Sequence, residues 1–173
     1  RRTPKVPWEN VKGEQERVTK FYRLTSRTMI PQSGVRTLTS SIIPKRVGHL
    51  DLGFSIVFGD SDLLPYMAGL FESVPFDFLV KTTGKGHFRN DVASQMPIPQ
   101  ASSELKGRVH SRALLLNSLT THYADLWADS WQDAFTDDTW TKDDPRLNAD
   151  TDFSDLTGTW DWDTPLRTRY ARR

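Results

Sequence analysis

The feature that most constrains the fold is a series of short β-type segments in the first third of the chain, separated by turn residues. Residues 21–30 are rich in β-branched and aromatic side chains, residues 31–34 read Pro-Gln-Ser-Gly, and residues 35–43 are again β-type and end at Pro44. β-branched and aromatic residues favour strands, whereas a Pro, Ser and Gly cluster favours a turn. The pattern predicts two strands that can form a long hairpin, and residues 53–58 predict a third strand.

Helical spacing replaces this pattern after residue 60. Apolar residues between 63 and 71 recur at steps of three and four, and Pro75 opens a second helical segment at an early position that tolerates proline. Residues 103–135 are the longest helix candidate, with one apolar stripe at the same steps. Residues 136–173 are rich in Asp, Thr and Trp and predict mostly loop with short helices.

We therefore predict an α+β fold: a small mixed or antiparallel sheet with short helices, followed by a long helix and an irregular acidic tail. The predicted organisation is a lead-in or linker over residues 1–16, a recognition domain over residues 17–100 and a helical, Trp-rich region over residues 101–173. The first residue is not Met, and we expect a fragment of a longer polypeptide. No stretch approaches the roughly 18 apolar residues of a membrane span, so we expect a cytoplasmic protein without a membrane partner.

No catalytic motif stands out in the sequence. The chain has no cysteine, which excludes disulfides, thiolate zinc sites and a cysteine nucleophile. It also lacks an Asn-Pro-Pro-Tyr-type amino-methylation motif, a Gly-rich phosphate loop after a strand and a Gly-x-Ser-x-Gly motif. Glu104 and Lys106, with Asp91 upstream, imitate a metal-dependent nuclease motif, but this pattern is common by chance and Glu104 also suits a helix N-terminus. We expect no catalytic, metal or cofactor site in this chain.

The net charge of +1 conceals a strong segregation of charge along the chain. Residues 1–50 hold 11 Lys and Arg against 3 Asp and Glu, residues 51–100 hold 3 against 6, and residues 101–173 hold 9 against 13. A basic first third predicts a surface for a polyanion, with an ordinary solvated basic face as the alternative. The acidic last third is not expected to contact a phosphate backbone, and its tryptophans are expected to pack against one another and their neighbours.

The basic residues of the predicted strands and of one loop are the candidates for DNA contact. Arg23 and Arg27 are four residues apart, so they share one strand face with Thr25. Arginine reads guanine and asparagine reads adenine in the major groove, while Lys and Thr more often bind phosphates. The predicted DNA-binding residues are Arg23, Arg27, Arg36, Thr37, Lys45, Arg46, His49, Lys81, Lys85, His87, Arg89 and Asn90.

Two stretches also carry a recognisable order of motifs. Phe21–Pro44 contains Arg-x-x-x-Arg, then Val-Arg-Thr-Leu and Ile-Ile-Pro. Leu64–Pro99 contains a helical segment, Ser-x-x-Phe-Asp-Phe-Leu, a Gly-containing loop and Pro-Ile-Pro. The first resembles the opening of the target-recognition domain in type IIG restriction enzymes and phage-defence adenine methyltransferases of the BREX or DISARM type. The second resembles the later half of that domain, which type I specificity subunits share. Leu114–Trp127 and residues 165–173 are similar to the C-terminal helical region of the same methyltransferases.

The resemblance implies a module that recognises a duplex DNA sequence for an N6-adenine methyltransferase. The catalytic domain, with its S-adenosylmethionine pocket, would lie elsewhere in the same polypeptide and would be the partner that receives the flipped-out adenine. The resemblance implies no catalytic role for this chain. The residues themselves leave a different class open: a protein-interaction or scaffold module that docks through its Trp-rich helical region.

Overall fold

The computed structural model describes residues 3–31, 33–141, 144–145 and 152–166. It confirms the α+β class. The chain divides into two compact units, Arg1–Pro99 and Gln100–Arg173, which are described separately. In the described residues of the first unit the elements are β1 (Lys5–Glu9), β2 (Gln15–Arg17), β3 (Arg23–Arg27), β4 (Ser40–Ile43), β5 (Gly53–Ile56), α1 (Leu63–Glu72), α2 (Val74–Thr82) and α3 (Asn90–Ala93). Those of the second are α4 (Ser103–Asn117) and α5 (Ala124–Ser130), with short 3₁₀ turns around them.

The first unit is built on a three-stranded antiparallel sheet in the order β4-β3-β5. Leu24 lies opposite Ile42 on one side and Ile56 on the other. Successive side chains of a strand point to opposite faces, and the even-numbered residues of β3 face the core, where α1 covers β3 and β4. The odd-numbered residues of β3 therefore point to the other side, which we call the outer face.

Three phenylalanines complete the core behind the sheet. Phe88 lies between Phe54 and Phe71, with ring centroids 5.7 and 5.8 Å away in edge-to-face arrangements. Such pairs stabilise a core beyond the area that they bury. Phe88 comes from the segment after α2, so this cluster fixes that segment against the sheet.

The connection from β4 to β5, residues 44–52, has to cross the sheet. Both strands are antiparallel to β3, so they run in the same direction on its two sides. The chain leaves β4 at the Arg23 end of β3 and must re-enter β5 at the Arg27 end. It passes over the outer face, where the Arg23 guanidinium donates to the carbonyl oxygen of Val47. We call residues 44–52 the crossover.

The second predicted strand is shorter than expected. We predicted a strand from residue 35, but β4 begins at Ser40. The backbone N–H groups of Thr37 and Leu38 donate to Oδ1 of Asp77, at 2.8 and 2.7 Å, instead of to a neighbouring strand. Asp77 lies on α2 and is buried. A side-chain acceptor from a distant helix therefore replaces the strand pairing that local sequence favours.

The predicted lead-in is also structured, which corrects the linker prediction. β1 and β2 form an antiparallel hairpin. Its turn is closed by Asn10, whose side-chain oxygen accepts the N–H groups of Lys12 and Glu14, and by Gly13 at a φ of 72°. Trp8 packs edge-on against Phe21 with centroids 5.9 Å apart.

α1 and α2 form a sharply bent pair of helices. Ser73 caps α2 with its side-chain oxygen, which accepts the N–H of Phe76, and Pro75 stands in the first turn, where a missing N–H is harmless. Among the described residues no single helix is long and apolar enough to cross a membrane; α1 and α2 pass that test of length and composition only together, across a bend of 72°.

The long helix predicted over residues 103–135 is broken in two. α4 ends at Asn117, and α5 begins only at Ala124. Within α4 the predicted stripe is not the buried face, because Leu105 and Leu116 are 54% and 39% exposed, whereas Leu126, Trp127 and Phe135 of the same stripe are buried. α4 instead buries small residues such as Gly107, where an added Cβ would lie 3.5 Å from the side-chain oxygen of Gln132.

Two tryptophans of the second unit pack inside that unit, as predicted. Trp127 is fully buried and donates its indole N–H to the carbonyl oxygen of Thr157 at 2.8 Å. Trp160 is also buried and donates to the carbonyl oxygen of Ser118 at 2.7 Å. Buried indoles usually need such a partner. Trp162, in contrast, is 56% exposed.

Replacing Asp77 tests whether its carboxylate stabilises the fold of the first unit. Asp77→Ala leaves two buried N–H groups without an acceptor, and we expect it to lower the free energy of unfolding by about 2 to 4 kcal/mol. Asp62→Ala, at an exposed residue before α1 whose side chain caps nothing, is the control and should change it by less than about 0.5 kcal/mol. Urea denaturation followed on the amide signals of β3 measures both. Equal stabilities would contradict the role of Asp77.

Candidate nucleic-acid interface

The outer face of the sheet carries hydroxyl groups and one exposed arginine. Thr25 lies at its centre, with Ser41 of β4 opposite it on one side and Ser55 of β5 on the other. The Oγ1 of Thr25 itself is buried and has no hydrogen-bond partner among the described residues. Arg27 follows on the same face and is exposed. Its partner across β5 is Gly53, which has no side chain to cover it. Hydroxyl and guanidinium groups are donors that proteins commonly use on phosphate oxygens.

His49 of the crossover is held against this face. Its Nε2 lies 2.8 Å from the Ser55 hydroxyl oxygen, and its Nδ1 lies 2.9 Å from the carbonyl oxygen of Leu50. A carbonyl only accepts, so the neutral ring carries its proton on Nδ1, and Nε2 accepts from Ser55. Gly53 allows this approach, because an added Cβ would lie 3.2 Å from Nδ1 of His49. The ring is thus fixed over β5.

The loop after α2 extends the sheet at the Arg27 end. His87 forms an isolated antiparallel bridge with Met29. The N–H of Phe88 donates to the carbonyl oxygen of Thr28 at 2.7 Å, and the N–H of Ile30 donates to that of Gly86 at 3.1 Å. Residues directly opposite each other share a face. His87 and Met29 are therefore on the outer face, and both are exposed.

Acidic residues hold two of the predicted cations of this loop. Arg89 lies 3.7 Å from the Asp51 carboxylate of the crossover, and Lys85 lies 3.3 Å from the Asp91 carboxylate. All four side chains are more than half exposed, so these ion pairs are weak and solvent-screened. Phosphate groups can therefore compete for Arg89 and Lys85 at little cost.

Arg23 is a correction to the predicted site. It shares the outer side of β3 with Arg27, but it is only 2% exposed because the crossover covers it. Its guanidinium donates to Val47, and burial lowers its pKa. Its Nε has no hydrogen-bond partner among the described residues. Arg23 anchors the crossover and does not reach a base edge in this structure.

Arg36 and Thr37 are also engaged within the fold, although the Arg36 side chain is 38% exposed. The Arg36 guanidinium donates to the carbonyl oxygen of Glu72 at 2.9 Å, at the C-terminus of α1, and lies 3.5 Å from the Asp77 carboxylate. Thr37 is buried, and its N–H bonds to the same carboxylate. These two residues join the chain before β4 to the helices. They are structural residues, although their basic and hydroxyl character suggested DNA contact.

The remaining predicted residues are exposed at the margins of the outer face or away from it. Lys45 lies over the Tyr22 ring, 4.8 Å from its centroid, and Arg46 has a φ of 66° with its N–H on the carbonyl oxygen of Thr19. Both belong to the crossover. Lys81 lies in the last turn of α2 and Asn90 begins α3. No contact within the described part of the chain brings Lys81 to the outer face.

Sequence reasoning named Thr25 on this face but missed the serine hydroxyl groups on either side of it. Thr25, Ser41 and Ser55 meet only because β4 and β5 both pair with β3 in one register. The alternation of polar and apolar residues in each strand was a visible signal. The strand order cannot be read from local sequence patterns, so nothing indicated that these three side chains lie next to one another.

The described residues contain no group of three or more His, Asp or Glu side chains placed to hold a metal ion. Glu104 and Asp91 of the nuclease-like pattern pair with Arg108 and Lys85, at 3.1 and 3.3 Å. The chain matches no model of a known protein family, no curated protein sequence and no solved structure. The geometry of the outer face is thus the main support for a function.

The two serines beside Thr25 provide a matched test of the interface geometry. Ser55→Ala removes the donor to His49 Nε2, while Nδ1–H keeps its acceptor, the carbonyl oxygen of Leu50, so we expect the ¹⁵N shift of Nε2 to change through the loss of this hydrogen bond. Ser41→Ala removes a hydroxyl from the same face without touching His49 and should leave the ring shifts unchanged. If Ser55→Ala leaves the His49 ring spectrum as in the wild type, the His49–Ser55 contact is wrong.

Proposed function

We propose that the first unit binds duplex DNA through the outer face of its sheet. The observation that carries the proposal is the exposure of Arg27 on a hydroxyl-lined sheet face, next to His87 and Arg89 and beside the crossover with His49. Sheets and two-stranded ribbons are established readers of DNA grooves. The combination of hydroxyl, guanidinium and imidazole donors suits both phosphate oxygens and base edges.

The charge distribution along the chain also favours the first unit as the one that binds DNA. The first unit, residues 1–99, holds 14 Lys and Arg against 9 Asp and Glu, whereas residues 100–173 hold 9 against 13. A net charge of +5 on one unit and −4 on the other steers a polyanion to the first. The second unit is then kept off the phosphate backbone by its own charge.

Within this proposal the contacts divide by chemistry. The hydroxyl of Ser41, with Lys45 and Arg46 of the crossover, contacts phosphates and sets the register. Arg27, with His87 and Arg89 beside it, supplies the donors that reach base edges. Arg23, Arg36 and Thr37 take no direct part.

We further propose that this recognition serves N6-adenine methylation of DNA in the cytoplasm. The support is the motif order in Phe21–Pro44 and Leu64–Pro99, which resembles that of methyltransferase target-recognition domains. The methyl donor, S-adenosylmethionine, would be bound by a domain outside this chain, which would act on the flipped-out adenine. The test is the reading frame that encodes the chain: a methyltransferase domain in it supports this role, and an unrelated domain in its place contradicts it.

The scaffold alternative is disfavoured by one observation. Trp127 and Trp160, two tryptophans of the region that would dock a partner, are buried in their own unit and use their indole N–H groups there, although Trp162 is 56% exposed. A partner would have to take these side chains out of a formed core. The Trp-rich region therefore offers less to a partner than its composition suggested.

Fluorescence anisotropy with a labelled mixed-sequence duplex tests DNA binding by the intact chain. We expect the affinity to fall steeply between about 50 and 200 mM salt, because each phosphate contact releases counterions. Arg27→Ala should weaken binding about tenfold or more, in line with the cost of losing one bidentate contact. Lys12→Ala, in the turn of the β1–β2 hairpin, removes an exposed positive charge away from the strands of the sheet and should have little effect.

Two results would overturn the proposal. One is binding that does not change over this salt range, which would exclude phosphate contacts. The other is a loss of affinity in Lys12→Ala as large as in Arg27→Ala, which would mean that the positive charge acts without regard to its place on the surface.

A further inference from the structure

A groove of about 390 Å³ lies beside the free edge of β5 in the first unit. β1 forms its opposite wall with Val6 and Trp8, and β5 contributes Phe54. Val57 follows β5 at one end, and Asn90, Ala93 and Ser94 border the groove. The groove is distinct from the outer face, because it lies beside the edge of the sheet and not over that face.

The register of the sheet shows which backbone groups point into this groove. The N–H of Thr28 donates to the carbonyl oxygen of Leu52. In antiparallel strands hydrogen-bonded pairs alternate with non-bonded pairs, so Phe54 and Ile56 bond to β3 by continuation. Ser55 and Val57 then direct their N–H and C=O groups away from β3. These groups have no backbone partner among the described residues.

Free strand edges are templates for another strand, and proteins usually blunt them with Lys, Pro or a bulge. β5 and the residue after it read Gly-Phe-Ser-Ile-Val and contain none of these devices. The facing strand β1 does contain them, since it carries Lys5, Pro7 and a register irregularity. The edge of β5 is therefore the side on which a strand can be added.

The charge of the groove limits what that strand can be. Among the described residues, Lys5 is the one charged residue that lines the groove, and it is exposed. The other lining residues are mostly apolar, with Trp8, Phe54 and Val57 among them. A peptide with apolar residues at alternate positions and a carboxylate near Lys5 complements these walls.

We propose that the edge of β5 accepts an extended, acidic-ended peptide segment of a partner protein, which adds a strand to the sheet. The added strand bonds to the N–H and C=O groups of Ser55 and Val57, places its apolar side chains against Trp8 and Phe54, and pairs its carboxylate with Lys5. Because the Ser55 side chain is on the outer face while its backbone faces the groove, peptide and DNA can bind together. The inference does not depend on DNA binding.

The test uses the whole chain and a short fluorescein-labelled peptide of alternating valine and threonine with a C-terminal glutamate. We expect saturable binding below about 1 mM and slower hydrogen exchange at the Ser55 and Val57 amides. The same peptide with N-methylated backbone nitrogens should not bind. Val57→Pro removes one edge donor and should weaken binding about tenfold. Val57→Ala keeps that donor and is the matched control, expected to stay within about threefold of the wild type.

The proposal fails on any of four results. The first is no binding of the unmodified peptide at about 1 mM. The second is equal binding of the N-methylated peptide or of Val57→Pro. The third is strong protection of the Ser55 and Val57 amides in the free protein, which would show that the edge is already paired. Protection of these amides by a DNA duplex and not by the peptide would also overturn it.

Discussion

The architecture of the first unit depends on the crossover over the outer face of the sheet. Since β4 and β5 run in the same direction on either side of β3, the connection between them has to return across one face. The Arg23 guanidinium fixes it by donating to Val47, at the cost of burying a charged group. This bond divides the outer face into a covered half at Arg23 and an open half at Arg27. The contacts that we propose for DNA lie at the open half, on the crossover itself or at the margins.

The second constraint is the Asp77 carboxylate, which acts across a long distance in sequence. It accepts the N–H groups of Thr37 and Leu38 and lies near the Arg36 guanidinium. Buried N–H groups that find no strand partner need such an acceptor. Asp77 thereby holds the chain just before β4. β4 then pairs with β3 in the register that places Ser41 opposite Thr25. The geometry of the outer face thus depends on Asp77, a residue of α2 that is not part of that face.

Much of the fold could be predicted from local signals. The α+β class, the strands around Arg23 and Gly53, and the helices that begin near Leu63 and Val74 follow from side-chain alternation and helical spacing. The β1–β2 hairpin was not predicted, because its strands are short and tertiary contacts such as that between Trp8 and Phe21 stabilise it. The long helix was over-extended for a similar reason: the break after Asn117 reflects packing within the second unit, not a local helix breaker.

The candidate site was less predictable, because it depends on strand order and on the crossover. Arg23 and Arg27 have the same residue type and share one strand, yet one is buried and the other exposed. Sequence spacing places both on one face and cannot show that a connection covers half of it. Conversely, Ser41 and Ser55 are far apart in sequence and became candidates only when the sheet brought them to either side of Thr25.

The most direct test of the central claim is a map of the DNA-binding surface by NMR, with the isotope-labelled chain and a mixed-sequence duplex. DNA binding through the open half of the outer face predicts that the largest shifts fall on Arg27, Met29, His49, His87 and Arg89. The amides of Thr37 and Leu38, and those of α4 and α5, should shift little. Shifts concentrated in the second unit, or on α2 with Arg27 unchanged, would contradict the claim.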